Sequence, residues 1–86
     1  MAKLDILYFA WVREVIGRDD ERIDVPGPET TIADLIVMLA ARGGGYAEAF
    51  SDVSRLRAAL DQQFVPLDTP VLGAKELAIF PPVTGG

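Results

Sequence analysis

Gly85-Gly86 close this sequence behind Phe80-Pro81-Pro82-Val83-Thr84, which places a carboxylate on two residues without side chains. Bare backbone passes through a channel that any other residue would block. The terminal carboxylate has a pKa of about 3.5, is ionised at neutral pH, and is a poor electrophile in that form. To react at its carbonyl it needs activation, for instance adenylation to an acyl phosphate. A sulfur nucleophile then displaces AMP and leaves a thiocarboxylate. Two glycines at the last two places arise by chance in roughly one chain in 200, so the residues before them must decide. Pro81-Pro82 favour an extended, polyproline-like path and cannot fold back into a sheet. Val83-Thr84 are β-branched and stiff at χ1. A frayed, inert terminus is the competing reading, and the rigid spacer weighs against it.

Few other groups offer chemistry. The 86 residues include no Cys and no His, which excludes disulfides, thiolate nucleophiles, imidazole bases and the usual zinc ligand sets. Asp19-Asp20-Glu21 is an acidic run, read as a solvated loop before a cation site, so no metal is expected. Gly43-Gly44-Gly45 lacks the preceding strand and following Lys-Ser/Thr of a phosphate loop. Arg13 and Glu14 are neighbours on a predicted helix, where adjacent residues do not face each other, and read as surface. Arg55-Leu56-Arg57 is the densest basic group and is available to an acidic partner. The net charge is −5, with eight basic residues scattered and no stripe that would track phosphates, so no nucleic-acid partner is expected. No apolar run reaches membrane-spanning length, and Asp5 interrupts the stretch where a signal peptide would be uniformly apolar. The expected compartment is cytoplasmic, with no membrane partner.

Half the residues are hydrophobic, and 86 residues leave room for one core. The elements that must hold the tail follow from periodicity. Lys3 to Ala10 reads as a strand, Leu4, Ile6 and Tyr8 on one face and Leu7 and Phe9 on the other. Trp11 to Ile16 reads as a short helix capped by Gly17. Glu21 to Val25 is a second strand with Ile23 and Val25 inward, closed by Pro26-Gly27-Pro28. Ile32, Leu35, Ile36, Leu39 and Ala40 form one buried helical stripe. The helix runs to about Arg42, with Thr31 as N-cap, Asp34 at the third position and the three glycines as its stop. Tyr46 to Phe50 adds a helical turn. Arg57 to Phe64 is a third strand with a turn near Asp61-Gln62, Val65 to Leu67 a short edge piece, and Leu77 to Phe80 a last strand that Pro81 must terminate. The order predicts an α+β, β-grasp (ubiquitin-like) domain over residues 1–80. Its mixed sheet has one main helix on one face and parallel first and last strands, followed by an extended tail over 81–86.

The chain resembles the small subunit of molybdopterin synthase, the MoaD family of ubiquitin-like sulfur carriers, nearly end to end. The resemblance rests on Leu7-Tyr8-Phe9-Ala10 with Val12-Arg13-Glu14 and Gly17, on Thr31-Ile32-Ala33-Asp34-Leu35, and on Asp68-Thr69-Pro70-Val71-Leu72. The most specific stretch is Glu76-Leu77-Ala78-Ile79-Phe80-Pro81-Pro82-Val83-Thr84-Gly85-Gly86. Departures are Asp61 where the family usually has Asn, Ile79 where an aromatic is common, and Gly73-Ala74-Lys75 in place of a more acidic turn. The resemblance implies that Gly86 is adenylated by an ATP-using, E1-like enzyme of the MoeB type and becomes a thiocarboxylate. ATP is then the activating enzyme's substrate, and no cofactor is bound by this chain. The loaded tail, Pro81 to Gly86, would enter a MoaE-like large subunit and give sulfur to cyclic pyranopterin monophosphate. Two carriers would be consumed per molybdopterin, usually within a heterotetramer, and the catalytic side chains would belong mainly to the large subunit. Carriers for thiamin or tRNA thiolation and protein modifiers also end in Gly-Gly and remain the alternatives. With one sheet face under the helix, alternation turns Phe80 and Phe9 outward beside the tail, and Phe64 can join them as a docking patch.

Overall fold

The computed structural model describes residues 3–82. Nine elements follow in order: β1 (Lys3–Tyr8), α1 (Ala10–Ile16), β2 (Asp20–Asp24), α2 (Ile32–Ala40), α3 (Gly44–Ala49), a 3-10 turn (Val53–Arg55), β3 (Arg57–Leu60), β4 (Gln63–Val65) and β5 (Glu76–Phe80). The five strands form one sheet in the order β2-β1-β5-β3-β4. β1 and β5 run parallel near its middle, with Tyr8 opposite Ile79, and the other pairings are antiparallel. This is the expected mixed β-grasp sheet.

The core lies on one sheet face. Leu4, Ile6, Tyr8, Ala58, Leu77 and Ile79 point into it and meet Val12 of α1, Ile32, Leu35, Ile36 and Leu39 of α2, and Ala49 and Phe50 at α3. The helical stripe read from the sequence supplies four of these residues. Thr31 caps α2 as expected. Its hydroxyl accepts from the Asp34 N–H at 3.1 Å, while the Asp34 carboxylate accepts from the Thr31 N–H at 3.0 Å, a reciprocal capping box.

Several boundaries differ from the sequence reading, each for a local reason. β1 stops at Tyr8, because Phe9 becomes the N-cap of α1 and Ala10 turns the chain at φ 55. α2 ends at Ala40, with Ala41 as its C-cap, short of the expected Arg42. The glycines begin the next helix as well as separating it from α2. Gly43 at φ 80 reverses the chain, and Gly45 lies where a Cβ would sit 3.0 Å from Ile16 Cα and closer still to the Val15 carbonyl. Only glycine lets α3 approach the end of α1 so closely. The segment from Arg57 is two strands, β3 and β4, joined at Asp61-Gln62, and the edge strand is Gln63–Val65 in place of Val65 to Leu67. Both loop residues have positive φ, 48 and 71, as a two-residue primed hairpin turn demands. Asp61 also accepts from the Lys75 and Glu76 N–H groups at 2.9 and 3.0 Å, tying the hairpin to the start of β5. An Asn in its place presents the same carbonyl oxygen and also tolerates left-handed backbone. The departure at Asp61 is therefore a conservative one structurally.

Candidate functional site

β5 is the element that presents the tail. It is five residues long, hydrogen-bonded on both sides, and carries Leu77 and Ile79 fully buried. Pro81 follows Phe80 directly and ends the strand, since it has no N–H for the ladder. Pro81 and Pro82 are half-buried at the edge of the described structure. Val83, Thr84, Gly85 and Gly86 lie outside the described residues. Whatever joins the tail is thus anchored at Phe80 to the central part of the sheet.

The sheet face away from the helices divides in two. Toward β2 it is charged: Arg22 donates from Nε to Asp5 Oδ1 at 2.8 Å, and Lys3 Nζ lies 2.7 Å from Asp24 Oδ1. The Arg22 hydrogen bond holds the Asp5 carboxyl below its ordinary value, and the same bond raises Arg22. Toward β4 the face is apolar. Register places Ala59 opposite both Phe64 and Ala78, and Arg57 opposite Phe80. The Phe64 and Phe80 rings pack at 5.4 Å between centroids, tilted by 41°. Phe64 is 77% exposed and Phe80 half-buried. Together with Arg57, Ala58, Val65 and Pro66 they line a shallow groove of about 320 Å³. It lies at the root of the tail.

The three aromatics singled out from the sequence are not brought together equally. Phe80 and Phe64 form one pair. Phe9 caps α1, is 46% exposed, and donates its backbone N–H to the Ile79 carbonyl at 3.2 Å. It sits at the same end of the sheet, yet among the described residues it makes no ring pair with either. Leu7, expected outward beside it, is half-buried.

Sequence reasoning missed Glu21. Read as part of a solvated acidic loop, its side chain is only 9% exposed and accepts from four donors. Tyr46 Oη and Tyr8 Oη donate to Oε2 at 2.6 and 2.8 Å, while Arg42 and Arg18 donate to Oε1 at 2.7 and 3.3 Å. Burial would raise the Glu21 carboxyl, but hydrogen bonds from Tyr46, Arg42 and Tyr8 overcome this and hold it below the usual glutamate value. Burial and the Glu21 carboxylate push both tyrosines up, and Arg42 rises through its bond to Glu21. The signal was absent because three of the four donors, Tyr8, Arg42 and Tyr46, lie 13 to 25 positions from Glu21. Every group in this cluster has a partner within it, so it ties β1, β2, the turn after α2 and α3 together and presents no reactive atom. Arg13 and Glu14 lie on the exposed surface as read, although Arg13 Nη2 does reach Glu14 Oε2 at 3.4 Å, a contact that adjacency on a helix does not predict. Among the described residues no group of acidic side chains is placed to hold a metal ion, and no helix is long and apolar enough to cross a membrane.

Known proteins are similar to this chain in sequence and in fold. The molybdopterin synthase sulfur carrier subunit of Escherichia coli is 39% identical over 83 residues, covering 96% of this chain and 99% of that protein. A solved structure described as a putative molybdopterin converting factor, subunit 1, from Pyrococcus furiosus superimposes with a TM-score of 0.72 at 26% identity, over 96% of this chain and all of that one. A chain from the complex of subunits 1 and 2 of the Helicobacter pylori molybdopterin-converting factor has the same fold, with a TM-score of 0.63 at 20% identity over 99% of this chain. The ThiS family matches residues 6–86, both terminal glycines included. On that match the chain belongs to the ThiS family, and it is a relative of the molybdopterin synthase sulfur carrier subunits.

Proposed function

We infer that this protein delivers sulfur as a thiocarboxylate on Gly86. Its role is that of a sulfur carrier in molybdenum cofactor biosynthesis, the role of the relatives it matches along almost its whole length. The observation that carries the chemistry is the placement of β5. A central, doubly paired strand ends at Phe80 against two prolines, so the tail starts from a rigid base. The steps are those of a carboxylate that must be activated. A Gly86 oxygen attacks the α-phosphorus of ATP on an E1-like, MoeB-type enzyme, releasing pyrophosphate. A sulfur nucleophile then attacks the acyl carbon, the C–S bond forms, and AMP leaves. The tail, residues 81–86, next enters a MoaE-like large subunit, where its sulfur bonds to a carbon of cyclic pyranopterin monophosphate. Water then attacks the Gly86 acyl carbon, the acyl C–S bond breaks, the sulfur stays on the pterin and the carboxylate is regenerated. A dithiolene holds two sulfurs, so two loaded carriers are consumed per product, consistent with a heterotetramer of two small and two large subunits.

This division of labour leaves the catalytic side chains to the partner and the reacting atom to this chain. The apolar half of the open face, with Phe80 and Phe64 beside the tail and Phe9 at the same sheet end, is the docking surface for the large subunit. Support for a two-subunit assembly comes from the Helicobacter pylori complex, whose small chain has this fold. The setting is cytoplasmic, where ATP and the activating enzyme are available. Intact-mass measurement after incubation with ATP, the activating enzyme and a sulfur donor tests the reading. A gain equal to one sulfur replacing one oxygen is expected. A ladder of conjugates to lysines would instead identify a protein modifier, and an unchanged mass would mark the tail as inert.

A further inference from the structure

Five of the eight cationic side chains are engaged by carboxylates. Lys3 pairs with Asp24, Arg13 with Glu14 and Asp19, Arg22 with Asp5, and Arg18 and Arg42 with Glu21. Among the described residues the other three, Arg55, Arg57 and Lys75, enter no such pair. Lys75 precedes β5 at the end far from the tail. Arg57 lies directly opposite Phe80 and lines the groove, and Arg55 is two residues before it. Both arginines are held in place. Arg57 Nη1 donates to the Leu56 and Ser54 carbonyls at 2.8 and 3.2 Å, which leaves its remaining N–H donors for another molecule. The Arg55 guanidinium stacks on the Trp11 ring at 4.8 Å. Asp52 Oδ1 accepts from the Ser54 N–H and hydroxyl at 3.1 and 2.6 Å, and its charge and that of Arg55 attract without forming an ion pair. In a chain of net charge −5, Arg57 and Arg55 stand outside every ion pair among the described residues, and Arg57 does so where the tail begins.

We propose that Arg57, with Arg55 beside it, reads carboxylates on the protein surface that receives the tail. That surface is the large subunit's face, which sets an acidic side chain against Arg57 next to an apolar one filling the groove of Phe64 and Phe80. The inference rests on the function proposed above and specifies the partner's chemistry. Reach supports it. Six residues beyond Phe80 span at most about 20 Å when extended, so a partner that buries the last glycine in a channel comes down against the tail's root. At such a contact water leaves the groove. An arginine stripped of water without a counter-charge is strongly disfavoured, whereas a carboxylate meets its fork with two parallel hydrogen bonds. The arginines serve the channel mouth and not the acyl phosphate, which forms the full length of the tail away.

Calorimetric titration of the full chain against its large subunit tests the proposal, at ~0.05 M and ~0.5 M salt, where screening differs several-fold in range. Arg57→Glu is expected to weaken binding at least ~10-fold at low salt and by less at high salt, and Arg57→Lys to lose less than Arg57→Glu. Melting curves of both variants are expected to match the parent. Equal affinity for Arg57→Glu and the parent, or equal losses at both salts, would overturn the proposal alone. A parent chain that neither binds the large subunit nor gains sulfur would overturn the functional reading and this inference with it.

Discussion

At the scale of single residues, structure and function are carried by different side chains. Glu21 makes the most concentrated set of hydrogen bonds in the fold and touches nothing near the tail. Replacing it by Gln removes a charged acceptor from two tyrosines and two arginines, and is expected to cost about 2–3 kcal/mol. That is a fall in Tm on the order of 10–20 °C for a domain of this size, read by calorimetry. The pH dependence has a definite sign. Glu21 titrates lower in the folded chain than in the unfolded one, so its contribution is complete above the unfolded value of about 4.3 and is lost as pH falls through the folded value. The Tm gap between parent and Glu21→Gln should hold from neutral pH to about 5 and narrow below about 4. A gap that widened in acid would contradict the assignment. Phe80 is the reverse case, half-buried, packed on exposed Phe64 and next to Pro81. Phe80→Ala is expected to weaken large-subunit binding by about 2 kcal/mol or more, with a smaller loss of Tm than Glu21→Gln. Unchanged affinity would remove it from the docking surface.

At the scale of elements, legibility depended on how far apart the cooperating residues lie. The α2 stripe, its Thr31 cap and the apolar alternation of β1 and β5 are local patterns, and each appeared where periodicity placed it. The division of the Arg57–Val65 segment was less clear, because Asp61 and Gln62 adopt positive φ without a glycine to announce it. Gly43-Gly44-Gly45 was legible as a helix stop. The reason for Gly45 was not, since it depends on α1 passing behind it. The Glu21 cluster joins residues 8, 18, 21, 42 and 46, and no pattern within a few positions encodes such a meeting. Gly45→Ala tests the helix contact. A methyl there must displace the α1 backbone at Val15 and Ile16, at a cost of about 1–3 kcal/mol. Gly27→Ala, where the added methyl meets open space, is the comparison. If the two variants melted together, the close approach of α3 to α1 would not be limiting.

At the scale of the molecule, one sheet does two things with its two faces. The helical side supplies the core of a chain with no disulfide, and the open side divides into a charged half and an apolar half beside the tail's root. The strand that precedes the tail is buried and paired before the prolines begin. The family match was the most legible feature in the sequence, since the Phe80–Gly86 ending needs only residue types in order. Which surface guides it required the sheet register. On the function proposed here, folding and chemistry divide at Pro81. The direct test is deletion of Gly86, with sulfur loading read by intact mass and stability by thermal melting. The account predicts that the shortened chain melts with the parent and gains no sulfur. A shortened chain that still acquires sulfur, or one that no longer folds, would contradict it.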